Sequence, residues 1–265
     1  MICIWAMNST GSTWVLRLLS EASQAAGGGP LVCEPWSPGA DPPRWEHGGP
    51  LVKAVDANMH LLGRWVGRNE RPDTGDRQVI AELLRLFEQR WPDAAGFKEL
   101  NWPYPEVWRE VWPGCPIIHL TRGLLGFLCC IARRRGHLYE REPWWYDIGE
   151  EPPWNVETEA LIEHGFVEER LRPLVRAALH RRVHHQMAAQ CLPPDALRVS
   201  YEQLYADWDY WLWKLLTHCG LPVPQLDGRV DWLEEQAHPR HRRWDKSPFT
   251  RDDVERVMEV CGDGD

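Results

Sequence analysis

The sequence predicts an α/β protein with three layers, α/β/α, around a central and mostly parallel sheet. Short apolar runs of strand length alternate with longer segments whose apolar residues recur at helical spacing. The first run, residues 2–7, is apolar throughout, which is typical of a strand that is covered on both faces. Strands that alternate with helices favour a parallel sheet with a helical layer on each side.

Five short segments are predicted to be the strands of this sheet. They are residues 2–7, 31–33, 96–100, 116–121 and 197–201. The chain has 265 residues, of which 43% are hydrophobic, and this is enough apolar material for one sizeable core. We therefore expect a single domain that spans residues 1–265.

Helices are predicted between and after the strands. Three consecutive glycines end the first helix, Asp76 is placed to cap the second, and Thr250 and Asp253 have the spacing of a capping box. The predicted helices are residues 14–26, 76–91, 124–135, 157–190 with a break near Pro173, a segment from the fifth strand to His218 that Gly220 caps, and residues 250–260. Residues 143–155 are rich in Trp and Pro and are expected to form a loop.

Composition excludes several classes of protein. Lys and Arg number 30 against 39 Asp and Glu, so the net charge of −9 argues against a protein that coats nucleic acid. No apolar run approaches the roughly 20 residues that a membrane-spanning helix needs, and the first residues lack the basic segment of a secretory signal. The eight cysteines contain no CxxC pair, which indicates buried, reduced thiols in a cytoplasmic protein. We find no cluster of metal ligands in the sequence.

A small polar turn follows the first predicted strand. Residues 8–13 read NSTGST, and such a turn lets backbone N–H groups converge at a helix N-terminus, where they hold a phosphate or sulfate. An ordinary β–α turn has the same composition, and the motif alone does not separate the two. It is not a Walker A loop, because Gly11 is followed by Ser12 and not by Lys.

Three later segments carry polar or basic residues at points where a ligand could bind. Arg122 ends the fourth predicted strand, at the sheet edge where α/β proteins bind ligands. Residues 200–204 follow the fifth strand, and residues 241–244 form a basic cluster within an acidic chain. Taken alone, Arg122 and the basic cluster are better explained as solvated surface residues.

Taken in order, these motifs resemble the sulfotransferases that use 3′-phosphoadenosine 5′-phosphosulfate (PAPS). The segment from Ser9 to Trp14 resembles the 5′-phosphosulfate loop of that family, and residues 117–123 resemble its 3′-phosphate strand. Residues 201–204 are similar to its YE-x-L element, and residues 242–254 are similar to the C-terminal region that closes over the nucleotide. The resemblance covers the chain from end to end and implies a fold like that of the P-loop NTPases.

The resemblance implies a binding site for PAPS and for its product PAP, without a metal. The residues that match the family's nucleotide-binding motifs are Ser9, Thr10, Gly11, Ser12, Thr13, Trp14, Arg122, Cys130, Tyr201, Arg242, Arg243 and Trp244. Two of them depart from the family pattern, since Ser9 stands where Lys or Arg is usual and Cys130 stands where Ser is usual. Trp14 and Tyr201 are candidates to lie against the adenine or its ribose, and both are equally well explained as core residues.

Two further residues are expected to take part in catalysis. Lys98 ends the third predicted strand, so we expect it near the same sheet edge, in place of the missing loop cation. Glu34 is the first choice for the base that takes a proton from the acceptor, with Glu99 and His60 as alternatives.

The implied reaction moves a sulfonyl group from PAPS to a hydroxyl or amine of a small-molecule or glycan acceptor. One alternative is a P-loop-type kinase of a small hydroxyl compound, and the missing Walker Lys argues against it. Another is a non-catalytic protein that binds PAP or another nucleotide. A third is a glycan-binding module that uses some of the 17 tryptophans.

Overall fold

The computed structural model describes residues 1–7, 10–33, 35, 72–99, 104–133, 153–223 and 247–262. Its strands are β1 (Ile2–Ala6), β2 (Leu31–Cys33), β3 (Gly96–Glu99), β4 (Ile117–Thr121) and β5 (Leu197–Ser200). Its helices are α1 (Ser12–Ala25), α2 (Thr74–Arg90), α3 (Pro105–Val111), α4 (Leu124–Arg133), α5 (Pro153–Glu163), α6 (Arg172–Cys191), α7 (Tyr201–Ala206), α8 (Trp208–His218) and α9 (Arg251–Cys261). A 3₁₀ turn, Glu169–Leu171, precedes α6.

The described chain divides into two compact units. The first contains all five strands together with α1, α2, α3, α7 and α8, and the second contains α4, α5, α9 and α6 up to Gln190.

The first unit is built on a parallel sheet with the strand order β2-β3-β1-β4-β5. The chain leaves β1 toward β2 on one side, whereas it leaves the neighbouring strand β4 toward β5 on the other. The carboxyl ends of β1 and β4 therefore flank the point where the strand order reverses, and α/β proteins bind ligands at such a point.

Helices cover both faces of this sheet, as the sequence predicts. On one face, Ile4 and Ile118 share a buried cluster with Leu19 of α1 and Leu216 of α8. On the other face the ring of Phe97 lies 5.4 Å from Phe87 of α2 and 5.1 Å from Trp108 of α3, measured between ring centroids. The predicted three-layer α/β/α fold is confirmed.

The first helix begins two residues earlier than its apolar periodicity predicts. Gly11 precedes it with φ near 81°, and its carbonyl accepts the N–H groups of Trp14 and Val15 at 3.0 and 3.2 Å. Gly27, with φ of 82°, follows its end, so the glycines do terminate it.

Of the two predicted N-terminal caps, the one at α9 is confirmed and the one at α2 is wrong. The N-cap of α2 is Asp73, whose carboxylate accepts the N–H of Asp76. Asp76 lies three residues later, and its own carboxylate accepts the N–H of Asp73. The prediction that Asp76 is the N-cap is therefore wrong, because the N-cap is Asp73, three residues earlier. Thr250 and Asp253 form the predicted capping box at the start of α9.

Three predicted elements differ from the structure for local reasons. The break in the long helix falls at the turn around Gly165, where φ is 71°, and Pro173 lies in the first turn of α6, where proline is tolerated. Helix α5 begins at Pro153, inside the expected loop. Helix α3 was not predicted, because its seven residues make only about two turns and show little periodicity. Among the described helices, none has the length and apolar content that crossing a membrane requires.

Candidate functional site

Helix α1 begins without a side-chain cap among the described residues. Its N-cap is Gly11, which has no side chain to accept the first N–H groups, and the first turn of α1 contains no acidic residue. The N–H groups of Ser12 and Thr13 therefore have no intrahelical acceptor, and they lie at the positive end of the helix dipole. Helices α2, α7 and α9 differ, since each begins with a side-chain capping box.

Thr10 folds this turn back onto the first strand. Its side chain is buried, and its hydroxyl donates a hydrogen bond of 2.7 Å to the carbonyl of Met7. The Thr10 hydroxyl therefore closes the turn.

Tyr201 packs directly against the turn. It begins α7 immediately after β5, and a Cβ atom built on Gly11 would lie 2.8 Å from Cδ2 of the tyrosine ring. The positive φ and this close approach both require glycine at position 11. The structure therefore brings two predicted site residues, Gly11 and Tyr201, into contact.

Lys98 also reaches the turn. It is paired with Ile4 of β1 in the parallel register, and its side chain is only 1% exposed. Its ammonium donates a hydrogen bond of 3.3 Å to the hydroxyl of Thr13, in the first turn of α1. A buried positive charge thus stands beside the N-terminus of α1, where it adds to the pull of the helix dipole on an anion.

Trp14 faces a neighbouring tryptophan. Its ring centroid lies 4.4 Å from that of Trp208, and both rings pack against the cluster beneath α1 and α8. Of the two roles that the sequence left open for Trp14, core packing is the one these contacts support.

Arg122 and Cys130 belong to the second unit. Arg122 follows β4 directly, and its carbonyl accepts a hydrogen bond of 2.9 Å from Nε of Arg181, a largely buried residue of α6. Cys130 is half-buried on α4. Sequence reasoning missed Arg181, because nothing in the spacing of the basic residues along α6 separates it from its neighbours.

Glu99, an alternative for the base, lies on the other face of β3. It is fully buried and paired with Trp5, and it alternates with Lys98 along the strand, so the two side chains point to opposite faces. His119 of β4 is paired with Trp5 from the other side, with their ring centroids 5.1 Å apart. The sequence did not single out His119, and only the register places it there.

Several predicted site residues lie outside the described part of the chain. They are Ser9, Glu34, His60, Arg242, Arg243 and Trp244. Across the part that is described, no group of three or more His, Cys, Asp or Glu is placed to hold a metal ion.

The chain is similar to proteins of one known family. A family model described as the sulfotransferase family matches residues 2–225. No curated protein matches the chain. Among solved structures, the sulfotransferase domain from the curacin biosynthetic pathway is similar at 14% identity and a TM-score of 0.44, over 98% of this chain and 96% of the other. The sulfotransferase STF1 from Mycobacterium tuberculosis H37Rv is similar at 14% identity and a TM-score of 0.43, over 98% of this chain and 76% of the other.

Proposed function

The chain belongs to the sulfotransferase family, and we propose that it transfers the sulfonyl group of PAPS to a hydroxyl or amine of a small-molecule or glycan acceptor. The observation that carries the proposal is the start of α1, where the N–H groups of the first turn, which no described side chain caps, lie beside the buried ammonium of Lys98. Such a turn suits an anion of the phosphate or sulfate type.

The residues of the turn fit the phosphosulfate end of this donor. Glycine at position 11 keeps a Cβ atom out of the space beside Tyr201, so the turn and the tyrosine ring can approach closely. The absence of acidic residues from the first turn of α1 removes the charge that would repel an anion there. When bound, PAPS supplies a sulfonyl group joined through oxygen to a phosphate that departs as part of PAP.

The chain's own groups would hold the donor and balance its charge. The N–H groups of Ser12 and Thr13 would donate to the phosphosulfate, and Thr13 keeps Lys98 beside them. The Lys98 ammonium would offset the negative charge that grows on the departing phosphate. It would thus replace the cation that the family usually has at the position of Ser9. A fixed charge in a buried site costs no reorganisation during the reaction, which is why its contribution is large.

The 3′-phosphate and the acceptor are assigned to other residues through the resemblance. Arg122 offers a two-pronged donor for the 3′-phosphate, with Arg243 and then Arg242 as its partners. The acceptor proton goes to Glu34 as the general base.

All eight cysteines are described, and none of them forms a disulfide. Free cysteines support a reducing compartment such as the cytoplasm.

Thermal unfolding with three nucleotides tests the proposal without knowledge of the acceptor. A ligand that binds only the folded protein stabilises it by about 2.7 kcal/mol at a hundredfold excess over Kd. For PAP we expect a rise in Tm of roughly 5–10 °C, and a clearly smaller one for AMP and ATP. An equal rise with ATP would favour a kinase, and binding of sugars without any effect of PAP would favour a glycan-binding module.

Turnover then separates an enzyme from a non-catalytic PAP-binding protein. PAPS is supplied with a panel of phenols, alcohols, amines and sugars, and release of PAP is measured. If PAP binds tightly but no acceptor raises the release of PAP above the rate in buffer without protein, the assignment as an enzyme is contradicted.

A further inference from the structure

One hydrogen bond fixes the backbone of Arg122. This residue lies in the two-residue connection between β4 and α4 and belongs to neither element. Within that connection the Gly123 carbonyl accepts the Phe127 N–H at 2.9 Å, which is a helical bond of α4. The Arg122 carbonyl accepts instead from Nε of Arg181, also at 2.9 Å. A side chain of α6 therefore anchors the backbone at a residue that is assigned to the nucleotide.

The donor of this bond lies on a packed face of α6. Arg181 is 9% exposed, and Leu174, Ala177 and Ala178, which lie one and two turns earlier on the helix, are buried. A guanidinium keeps its charge throughout the accessible pH range, so its burial is stable only where its N–H groups find acceptors. A charged donor also makes a stronger hydrogen bond than a neutral one. The bond from Arg181 to Arg122 is therefore a fixed contact of the interior.

The residue that follows Arg122 makes this bond important for the direction of the Arg122 side chain. Gly123 has no Cβ atom, and glycine has the least restricted backbone of all residues. Strand β4 holds the chain before Arg122, and Arg181 holds the carbonyl after its Cα atom. With both sides held, the direction in which the Arg122 side chain leaves the backbone is set.

We infer that Arg181 is a positioning residue for the 3′-phosphate, because it holds the carbonyl of Arg122 and so aims the Arg122 guanidinium. The inference rests on the proposed function, in which Arg122 binds the 3′-phosphate of PAPS and PAP. A long arginine side chain loses conformational freedom on binding, and a backbone that is already fixed reduces this loss. Arg181 thus strengthens nucleotide binding without touching the nucleotide.

Replacement of Arg181 tests the inference through the difference between two nucleotides. Arg181→Met keeps most of the side-chain stem and removes the Nε donor. We expect PAP to bind about tenfold more weakly, as when one more side chain has to be immobilised, and AMP to bind nearly as before. Calorimetric titration measures both affinities, and circular dichroism checks the fold. An equal loss for the two nucleotides would show a purely structural role and would overturn the inference.

Arg182 provides the matched control. It is the next residue of α6, and its guanidinium pairs with Glu157 of α5, with both side chains partly exposed. Arg182→Met removes the same charge from the same helix and leaves the bond to Arg122 in place. The ratio of PAP to AMP affinity should remain that of the unaltered chain. A loss as large as that in Arg181→Met would overturn the inference, because the charge of α6 alone would then be responsible.

A double-mutant cycle separates positioning from direct contact. In the Arg122→Ala background, Arg181→Met should have no further effect on PAP binding, since no guanidinium remains to be aimed. A loss that persists undiminished would mean that Arg181 binds the phosphate itself, which overturns the positioning role. If Arg122→Ala leaves the ratio of PAP to AMP affinity unchanged, the 3′-phosphate assignment fails and the inference fails with it. A ratio that responds to Arg122 and not to Arg181 refutes the inference alone.

The unaltered protein provides a measurement that no folding defect of a variant can affect. In a crystal structure with PAP, Arg122 should contact the 3′-phosphate while its carbonyl still accepts from Nε of Arg181. Arg181 bound to the phosphate, or an Arg122 carbonyl that has lost Arg181 in the complex, would overturn the inference.

Discussion

At the scale of single residues, Lys98 carries the strongest expectation. Its ammonium is buried and bonded to Thr13, and it stands at the N-terminus of α1. We predict that Lys98→Met, which keeps most of the side-chain volume, lowers PAP release by about 10²–10³-fold, because one preorganised charge is lost. Rates are measured with PAPS and an accepted substrate, and circular dichroism checks the fold.

A rescue variant distinguishes loss of charge from loss of packing. Ser9→Lys in the Lys98→Met background restores the cation at the position where the family usually has it. Recovery of activity would show that the two positions supply the same charge. Full activity in Lys98→Met alone would leave the backbone or arginine side chains to supply that charge.

Arg122 is expected to separate two nucleotides that differ by one phosphate. Its assignment is to the 3′-phosphate, which PAP has and AMP lacks. Arg122→Ala should therefore weaken PAP binding by about 1.5–3 kcal/mol and leave AMP binding nearly unchanged, as calorimetric titration can measure. An equal loss for both nucleotides would mean that Arg122 is structural or acts elsewhere.

His180 gives the folded state a dependence on pH. Burial lowers the pKa of His180 to about 4, and its ring lies 4.6 Å from that of Trp154. In the unfolded chain this histidine is protonated below about pH 6.5, whereas in the folded state it stays neutral down to about pH 4. The free energy of unfolding therefore falls as the pH drops from about 6.5 to 4. Urea unfolding should show that His180→Gln removes about 1–2 kcal/mol of the loss between pH 7 and pH 5. The same pH dependence in both proteins would contradict this account.

At the scale of elements, the start of α9 shows how capping and an ion pair combine. Asp253 accepts the Thr250 N–H at 2.8 Å and is bound by two nitrogens of Arg170 at 2.9 and 2.6 Å. The Arg170 guanidinium, followed by the cap contacts, lowers the pKa of Asp253 to about 2. This stabilisation is complete above pH 3.8 or so and is lost as the pH falls toward 2.

Substitution in the first turn of α9 tests this combination. We predict that Asp253→Ala lowers the free energy of unfolding by about 1–2 kcal/mol at neutral pH, mostly through the lost cap. Asp252→Ala is the matched control, since Asp252 occupies the same turn and is exposed. Equal effects of the two substitutions in urea titrations would show that the helix dipole, and not the capping box, is responsible.

The elements that the sequence predicted well are those with an unambiguous pattern. Strand β1 is a continuous apolar run and β4 is apolar at three of its five positions, which is typical of parallel strands that are buried on both faces. The prediction placed the break before α6 at Pro173, but proline is tolerated in the first turn of a helix. The break lies at Gly165, whose φ is positive. Residue types alone indicate the capping motifs. The choice between Asp73 and Asp76 as the N-cap depends on where the backbone becomes helical, and the sequence does not show this.

At the scale of the whole molecule, the sequence predicted the layers and which strand ends matter. The approach of Lys98 to the β1–α1 turn followed from parallel strands that end at one edge, yet the contact with Thr13 depends on the register of β3 against β1. The hydrogen bond from Arg181 to Arg122 joins residues that are 59 positions apart in sequence. It has no local pattern, so only the folded chain reveals it.

The central claim is that the β1–α1 turn and Lys98 bind the phosphosulfate end of PAPS. A crystal structure of the protein with PAP tests it most directly. The account predicts the 5′-phosphate within hydrogen-bond distance of the Ser12 and Thr13 N–H groups and of the Lys98 ammonium, with Arg122 on the 3′-phosphate. PAP bound elsewhere, or Lys98 directed away from the phosphate, would contradict the account.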